Sequence, residues 1–230
     1  MKIQGLEKLS LVDFDGYAAC TVFLAGCNLR CPFCQNAALV TGDVPECIRE
    51  EEFFAFLDKR AGLLDAVCIS GGEPTLRREL PDFCRRIKEK GYLVKLDTNG
   101  TNPALLKSLI DEGLIDYVAM DIKAPIEEYP PLLLSEEDTP HAVRESIALL
   151  LSGEVPYEFR TTLVEEMIDR AGILRIGEEI DGAERIFLQK FEDRGGNLAE
   201  GLTAVSPELA KEYAALLAPR VKRVALRGYA

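Results

Sequence analysis

The chain contains no tryptophan and a single histidine, His141. A lone imidazole excludes zinc sites built on several histidines and leaves little room for triads in which histidine is the base. Positive charge is scarce as well, with 27 Lys and Arg against 39 Asp and Glu and a net charge of -12. That balance argues against a protein that grips nucleic acid through its phosphates, or one that docks on an anionic membrane. The local basic runs "RRIKEK" (85–90) and "RVKR" (220–223) read as solvated helix faces. Long apolar stretches are missing too. The opening "MKIQGLEKLSLVDFDG" carries no secretory core, and nothing later reaches the roughly 18 apolar residues of a membrane span. A cytoplasmic protein with neither a nucleic-acid nor a membrane partner is expected.

What the chain does have suits one large domain or two small ones: 230 residues, 47% of them hydrophobic. Short β-rich runs recur at 18–26, 66–70, 92–98, 117–122, 157–164 and 185–191, each near ordinary strand length. Helix-like segments fall at 50–60, 80–90, 103–112, 140–151 and 170–180, with apolar residues at helical spacing such as Leu105, Leu106, Leu109 and Ile110. Asn102 before Pro103 reads as a helix start, and "KEKGY" as a helix end. Strand alternating with helix predicts an α/β protein with a parallel sheet of βα units. Six units make an open sheet or a partial barrel, since a closed eight-unit barrel typically needs about 250 residues. The Pro- and acid-rich segment 127–140 is the expected mobile loop.

Ligands of parallel βα folds collect where the strands end, and the unusual residues fall there. The first strand runs into "GCNLRCPFCQN" (26–36), the second into "SGGEPT" (70–75) and the third into "DTNG" (97–100). The fourth runs into "DIK" (121–123), the fifth into Arg160 and Thr161, and the sixth into "QKF" (189–191). Three of the seven cysteines, Cys27, Cys31 and Cys34, crowd onto the first of these loops. An odd thiol count with one tight cluster points to metal binding or redox chemistry rather than disulfides. Soft thiolates suit an iron-sulfur cluster or zinc.

Cys20 and Cys68, in strands, and Cys84, on a helix, read as small buried hydrophobes. Cys47 lies in a loop near the triplet and keeps a four-thiolate zinc site open as a reading. The alternative leaves the fourth metal position free for a substrate, which distinguishes catalytic from structural metal sites. Gly71 and Gly72 permit close backbone approach, and Glu73 could accept a charge-assisted hydrogen bond from a ligand ammonium. A plain Gly-Gly turn would leave Glu73 and Pro74 unexplained.

The triplet Cys27, Cys31 and Cys34, with Phe33 before its last cysteine, joined to "GGEP" at the next strand end, resembles the radical S-adenosylmethionine (SAM) enzymes. Further motifs, "SLVDFDG", "VKLDTNG", "AMDIKAP", "EFRTT" and "LQKF", extend the likeness over residues 10–191. Together they resemble the activases of glycyl-radical enzymes, most of all those serving anaerobic ribonucleoside-triphosphate reductase. The resemblance implies a partial (β/α)6 barrel of the TIM type with helices outside. In that reading residues 1–230 form one domain, with an arm (1–17), a βα core (18–191) and a C-terminal extension (192–230).

It also implies one 4Fe-4S cluster held by the three cysteines, with SAM on the fourth iron. The reaction would be reductive cleavage of SAM to a 5'-deoxyadenosyl radical that takes hydrogen from a backbone glycine of a partner enzyme. A low-potential donor such as flavodoxin or ferredoxin would supply the electron. Carried over by position, Phe33, Asn36, Gly71, Gly72, Glu73, Pro74 and Gln189 lie beside the cofactor. Asp97, Thr98 and Asp121 match residues that hold Na+ or K+ near the SAM carboxylate, and Lys123 and Arg160 would neutralise that carboxylate. Asp97 and Asp121 read equally well as N-caps of the helices that follow. Gln35 departs from an expected His, and Asp15 from an expected Pro. With Cys47 the sole cysteine between Cys34 and the next strand, a single cluster is expected.

Overall fold

The alternation of strand and helix resolves into one sheet of eight strands in sequence order. They are β1 Gly5–Ser10, β2 Ala19–Leu24, β3 Ala66–Gly71, β4 Leu93–Thr98, β5 Tyr117–Asp121, β6 Tyr157–Leu163, β7 Ile186–Lys190 and β8 Val224–Arg227. The structure is a computed structural model and describes residues 1–40, 44–129, 132, 139–193 and 196–229. Strands β2 to β8 pair in parallel, and β1 joins β2 antiparallel. The helices are α1 Ala37–Val40, α2 Glu50–Lys59, α3 Leu80–Glu89, α4 Pro103–Asp111, α5 Thr139–Leu151, α6 Arg170–Glu179 and α7 Pro207–Leu217. The protein is α/β, a partial barrel of the TIM type, in which β2 to β7 are the six expected strands.

Local chemistry explains these elements. In α3, Leu80, Phe83, Cys84 and Ile87 recur at helical spacing and are all buried, giving one apolar stripe. Phe83 stacks against Phe53 of α2 with ring centroids 5.5 Å apart. The Asn102 side chain accepts the Leu105 N–H at 3.2 Å, with Pro103 in the first turn, so α4 begins where the sequence places it. Cys20, Cys68 and Cys84 are buried, as lone small hydrophobes should be.

Two stretches hold more regular structure than the sequence reading gave them. Residues 1–17 contribute β1, and Phe14 packs with Ala19, Ala66 and Cys68 at the amino ends of the strands. Residues 192–230 supply α7 and β8, a further helix and parallel strand beyond the six units. Ala210, Tyr213 and Leu217 of α7 are buried, and Ser206 caps the helix by accepting the Leu209 N–H at 3.3 Å. The segment 127–140 lies mostly outside the described residues. Among the described residues no helix is long and apolar enough to cross a membrane.

Candidate active site

The carboxyl ends of the strands surround a cavity of about 240 Å3. Its shape begins with two glycines. A Cβ on Gly72 would lie 2.1 Å from the Gly26 carbonyl oxygen, and one on Gly71, whose φ is +123°, would lie 2.3 Å from the Leu24 oxygen. Without them the pairing of β2 and β3 continues past the strand ends: Gly72 N–H donates to Leu24 O at 2.7 Å and Glu73 N–H to Gly26 O at 2.8 Å. The cysteine loop is thereby seated beside the Gly-Gly turn. Asn36 closes the join by donating its side-chain amide to Gly71 O at 3.2 Å.

Cys27, Cys31 and Cys34 share one wall of this cavity, with buried Phe33 among them. Burial pushes the Cys31 thiol up to about 12 against the opposing pull of the Lys123 ammonium, and burial also raises Cys27. Loading a metal there therefore releases protons. Gly71, Gly72, Asp97, Thr98, Asp121, Lys123, Arg160 and Gln189 complete the predicted set that lines the cavity.

Parallel register brings Asp121 opposite Arg160. Arg160 Nε donates to Asp121 Oδ1 at 2.8 Å, Lys123 Nζ reaches Oδ2 at 2.9 Å, and Arg160 lies 3.3 Å from Asp97 Oδ2. Burial alone would discharge these groups; their mutual attraction outweighs it and holds Asp121 low and Lys123 high. Neither aspartate caps the helical turn that follows: Asn102 caps α4 while Asp97 accepts the Ser70 hydroxyl at 2.9 Å, and Asp121 is taken by Arg160 and Lys123 while Pro125 precedes the next turn.

Three expectations change. Glu73 is 1% exposed and does not line the cavity. Instead of facing a ligand ammonium, its carboxylate accepts the Thr75 N–H at 3.1 Å, the Thr98 hydroxyl at 2.8 Å and the Asn99 N–H at 2.6 Å, and also the Thr75 hydroxyl. Pro74 likewise sits behind the wall, at the start of a short 3-10 turn.

The proposed Na+ or K+ ligands do not converge either. Asp121 is engaged by Arg160 and Lys123, Thr98 donates to Glu73, and of these three residues Asp97 contributes a single buried oxygen, Oδ1, that has no hydrogen bond. Finally, Cys47 is exposed, with its N–H on Ile3 O at 2.7 Å, and does not line the cavity. Among the described residues no three Cys, His, Asp or Glu side chains converge on a single ion, so the four-thiolate zinc arrangement is not formed.

Gln35, where a His was expected, donates to Glu192 O at 3.3 Å and ties the cysteine loop to the chain after β7. Sequence reasoning passed over Ser70, Asn99 and Thr162, which also line the cavity. Strand-end position was the signal that could have found them. The donor set fits a cluster rather than an ion: three soft ligands on one wall, no fourth cysteine beside them, and a polar floor for a ligand.

A parallel partial barrel whose strand-end cavity offers three thiols and an open fourth position defines a cluster-dependent enzyme. The chain belongs to the radical SAM superfamily, whose match spans residues 21–165. A protein of Methanocaldococcus jannaschii that carries a provisional name as a glycyl-radical enzyme activating enzyme is 35% identical over 84% of this chain and 80% of its own length. A 7-carboxy-7-deazaguanine synthase of Koribacter versatilis is 32% identical over 64% of this chain and 62% of that protein. Among solved structures, Streptococcus suis SuiB bound to S-adenosylmethionine superposes with a TM-score of 0.67 at 11% identity, over 90% of this chain and 52% of its own. TYW1 with a lysine-pyruvate adduct gives 0.62 at 15% identity, over 90% and 76%. At those identities the structures share the fold alone.

Proposed function

We propose that this radical SAM enzyme is an activase that removes a hydrogen atom from a backbone glycine of a glycyl-radical enzyme, the anaerobic ribonucleotide reductase being the preferred partner class. The observation that carries this reading is the span of the relative named as an activating enzyme, 84% of this chain, against 64% for the Koribacter versatilis deazaguanine synthase. Cys27, Cys31 and Cys34 would hold the 4Fe-4S cluster. When bound, that cluster supplies the electron that cleaves SAM to methionine and a 5'-deoxyadenosyl radical.

The chain's own residues then do the positioning. Gly71 and Gly72 open the backbone to the ligand, and Asn36 locks that turn to the cysteine loop. Lys123 and Arg160 supply positive charge for a carboxylate, held in place by Asp121 and Asp97. Buried Phe33 keeps the thiol wall dry. A flavodoxin or ferredoxin is the proposed electron donor.

The test is anaerobic reconstitution with iron and sulfide, reduction with SAM, and addition of a glycyl-radical protein. A glycyl radical by electron paramagnetic resonance, with 5'-deoxyadenosine, is expected. In a parallel assay supplied with the substrate of the deazaguanine synthases, production of 7-carboxy-7-deazaguanine without a glycyl radical in the first assay would replace the activase reading with that of the synthases. An intact cluster with no SAM cleavage would sink both.

A further inference from the structure

Asn99 stands at the end of β4, 4% exposed, and lines the cavity. Its amide orientation is fixed by its neighbours. The Thr101 backbone N–H, which can only donate, lies 3.0 Å from one end of the amide, so that end is the oxygen; the Thr101 hydroxyl meets the same atom at 2.7 Å. The other end is therefore the NH2 group. It donates to Asn28 Oδ1 at 3.0 Å and faces Cys27 Sγ at 3.9 Å. Asn28 is itself held by donating to the Thr101 hydroxyl at 2.9 Å. The Asn99 backbone N–H is clamped by Glu73 at 2.6 Å, so the buried acid of "GGEP" locates the donor that reaches the first cysteine.

We propose that Asn99 is a positioning residue that donates an N–H to the Cys27 thiolate and thereby raises the reduction potential of the bound cluster. The inference rests on the reading of Cys27, Cys31 and Cys34 as cluster ligands. One-electron reduction adds negative charge to the cluster and its thiolates, and a hydrogen bond to sulfur stabilises the more negative state more strongly. The Leu29 backbone N–H, 3.4 Å from the same sulfur, is a second donor that substitution at residue 99 leaves in place. The cluster should therefore survive loss of the Asn99 donor while becoming harder to reduce.

The test is a redox titration of reconstituted protein by electron paramagnetic resonance, with dithionite supplying the single electron, in the wild type, Asn99→Asp and Asn99→Ala. Asn99→Asp keeps an oxygen for the Thr101 N–H but has no donor for sulfur; Asn99→Ala removes the donor without adding charge. Iron content near that of the wild type is expected in at least one variant. Its reduced-to-oxidised ratio at fixed potential should fall about threefold to tenfold, tenfold being about 59 mV for one electron.

An unchanged potential in a fully loaded variant overturns the role of Asn99 while leaving the cluster reading intact. A drop in Asn99→Asp with none in a loaded Asn99→Ala also overturns it, since the added charge alone would then be the cause. Loss of the cluster from both variants overturns it as well, by making the residue a requirement for assembly. Wild-type protein that takes up no cluster overturns the underlying reading and this inference together.

Discussion

Asp121 faces two half-buried cations, and its titration should be visible in the stability of the whole protein. Burial pushes its carboxyl upward, but Arg160 and Lys123 outweigh burial and hold it well below the usual carboxylate range. A carboxylate depressed in the folded state stabilises it fully above the unfolded value, about 3.9, and loses that contribution as pH falls through the folded value. Asp121→Asn should cost about 1–3 kcal/mol at pH 7, because half-buried Lys123 loses its carboxylate while Arg160 keeps only Asp97, and should flatten the decline in stability below about pH 4. Urea unfolding of the metal-free protein at several pH values measures both; an equally steep acid decline would assign it to other groups.

Glu73→Ala should cost at least about 2 kcal/mol in the same assay without SAM, since two buried backbone N–H groups lose their acceptor. If stability held and SAM affinity alone fell, the carboxylate would be a ligand contact after all. The identity of Glu73 was legible in "GGEP", but the direction of its side chain was not. That depended on Thr98 and Asn99 arriving from the next strand, 25 and 26 residues further on.

At the scale of elements, the joint between β2 and β3 is the part least able to tolerate change. Gly72→Ala would drive a Cβ into the Gly26 carbonyl, a backbone group that cannot move aside without opening the join. At least about 2 kcal/mol of stability should be lost, from the clash and from two strained hydrogen bonds. Iron uptake on reconstitution should fall with it, because the cysteine loop hangs on the same joint; retention of both would show that the loop is held elsewhere.

The helices and central strands were readable because their signals are local: the Asn102–Pro103 start, or the Leu80, Phe83, Cys84 and Ile87 stripe. Strand β8 was not, since four half-buried residues carry no period of their own and owe their state to pairing with β7. Helix α7 did carry a signal, Ser206 followed by Pro207 and Glu208, which the strand-helix beat drew attention away from.

Across the whole molecule, the barrel interior is layered, and Lys95 joins the layers. Below it lie Phe14, Ala19 and Ala66, and Cys68 stands beside it on β3; above it lie Asp97, Asp121 and Arg160 of the site. Lys95 itself is 4% exposed, donates to Asp13 O in the N-terminal segment, and stands 3.8 Å from Glu158 and 3.9 Å from Asp97. Its ammonium also lies 5.9 Å and 5.6 Å from the Phe14 and Tyr117 ring centroids. In the sequence, "YLVKLDT" gave no hint of this, because an isolated lysine in a strand usually faces water.

Glu158 has Arg227 of β8 as a second cation at 3.5 Å and accepts the Tyr117 hydroxyl at 3.0 Å. Removing Lys95 alone leaves Glu158 with Arg227 and half-buried Asp97 with Arg160 as their remaining cations, and Lys95→Met should cost about 1–3 kcal/mol. Glu158→Gln leaves Lys95 with Asp97 and should cost less. The double variant should be more stable than the sum of the single losses predicts, by about 0.5–3 kcal/mol, as expected for groups in one network. Urea unfolding of the four proteins completes the cycle. Strict additivity would mean that the N-terminal segment, β6 and the floor of the site are independent, and the layer under the site would then be packing rather than an electrostatic tie.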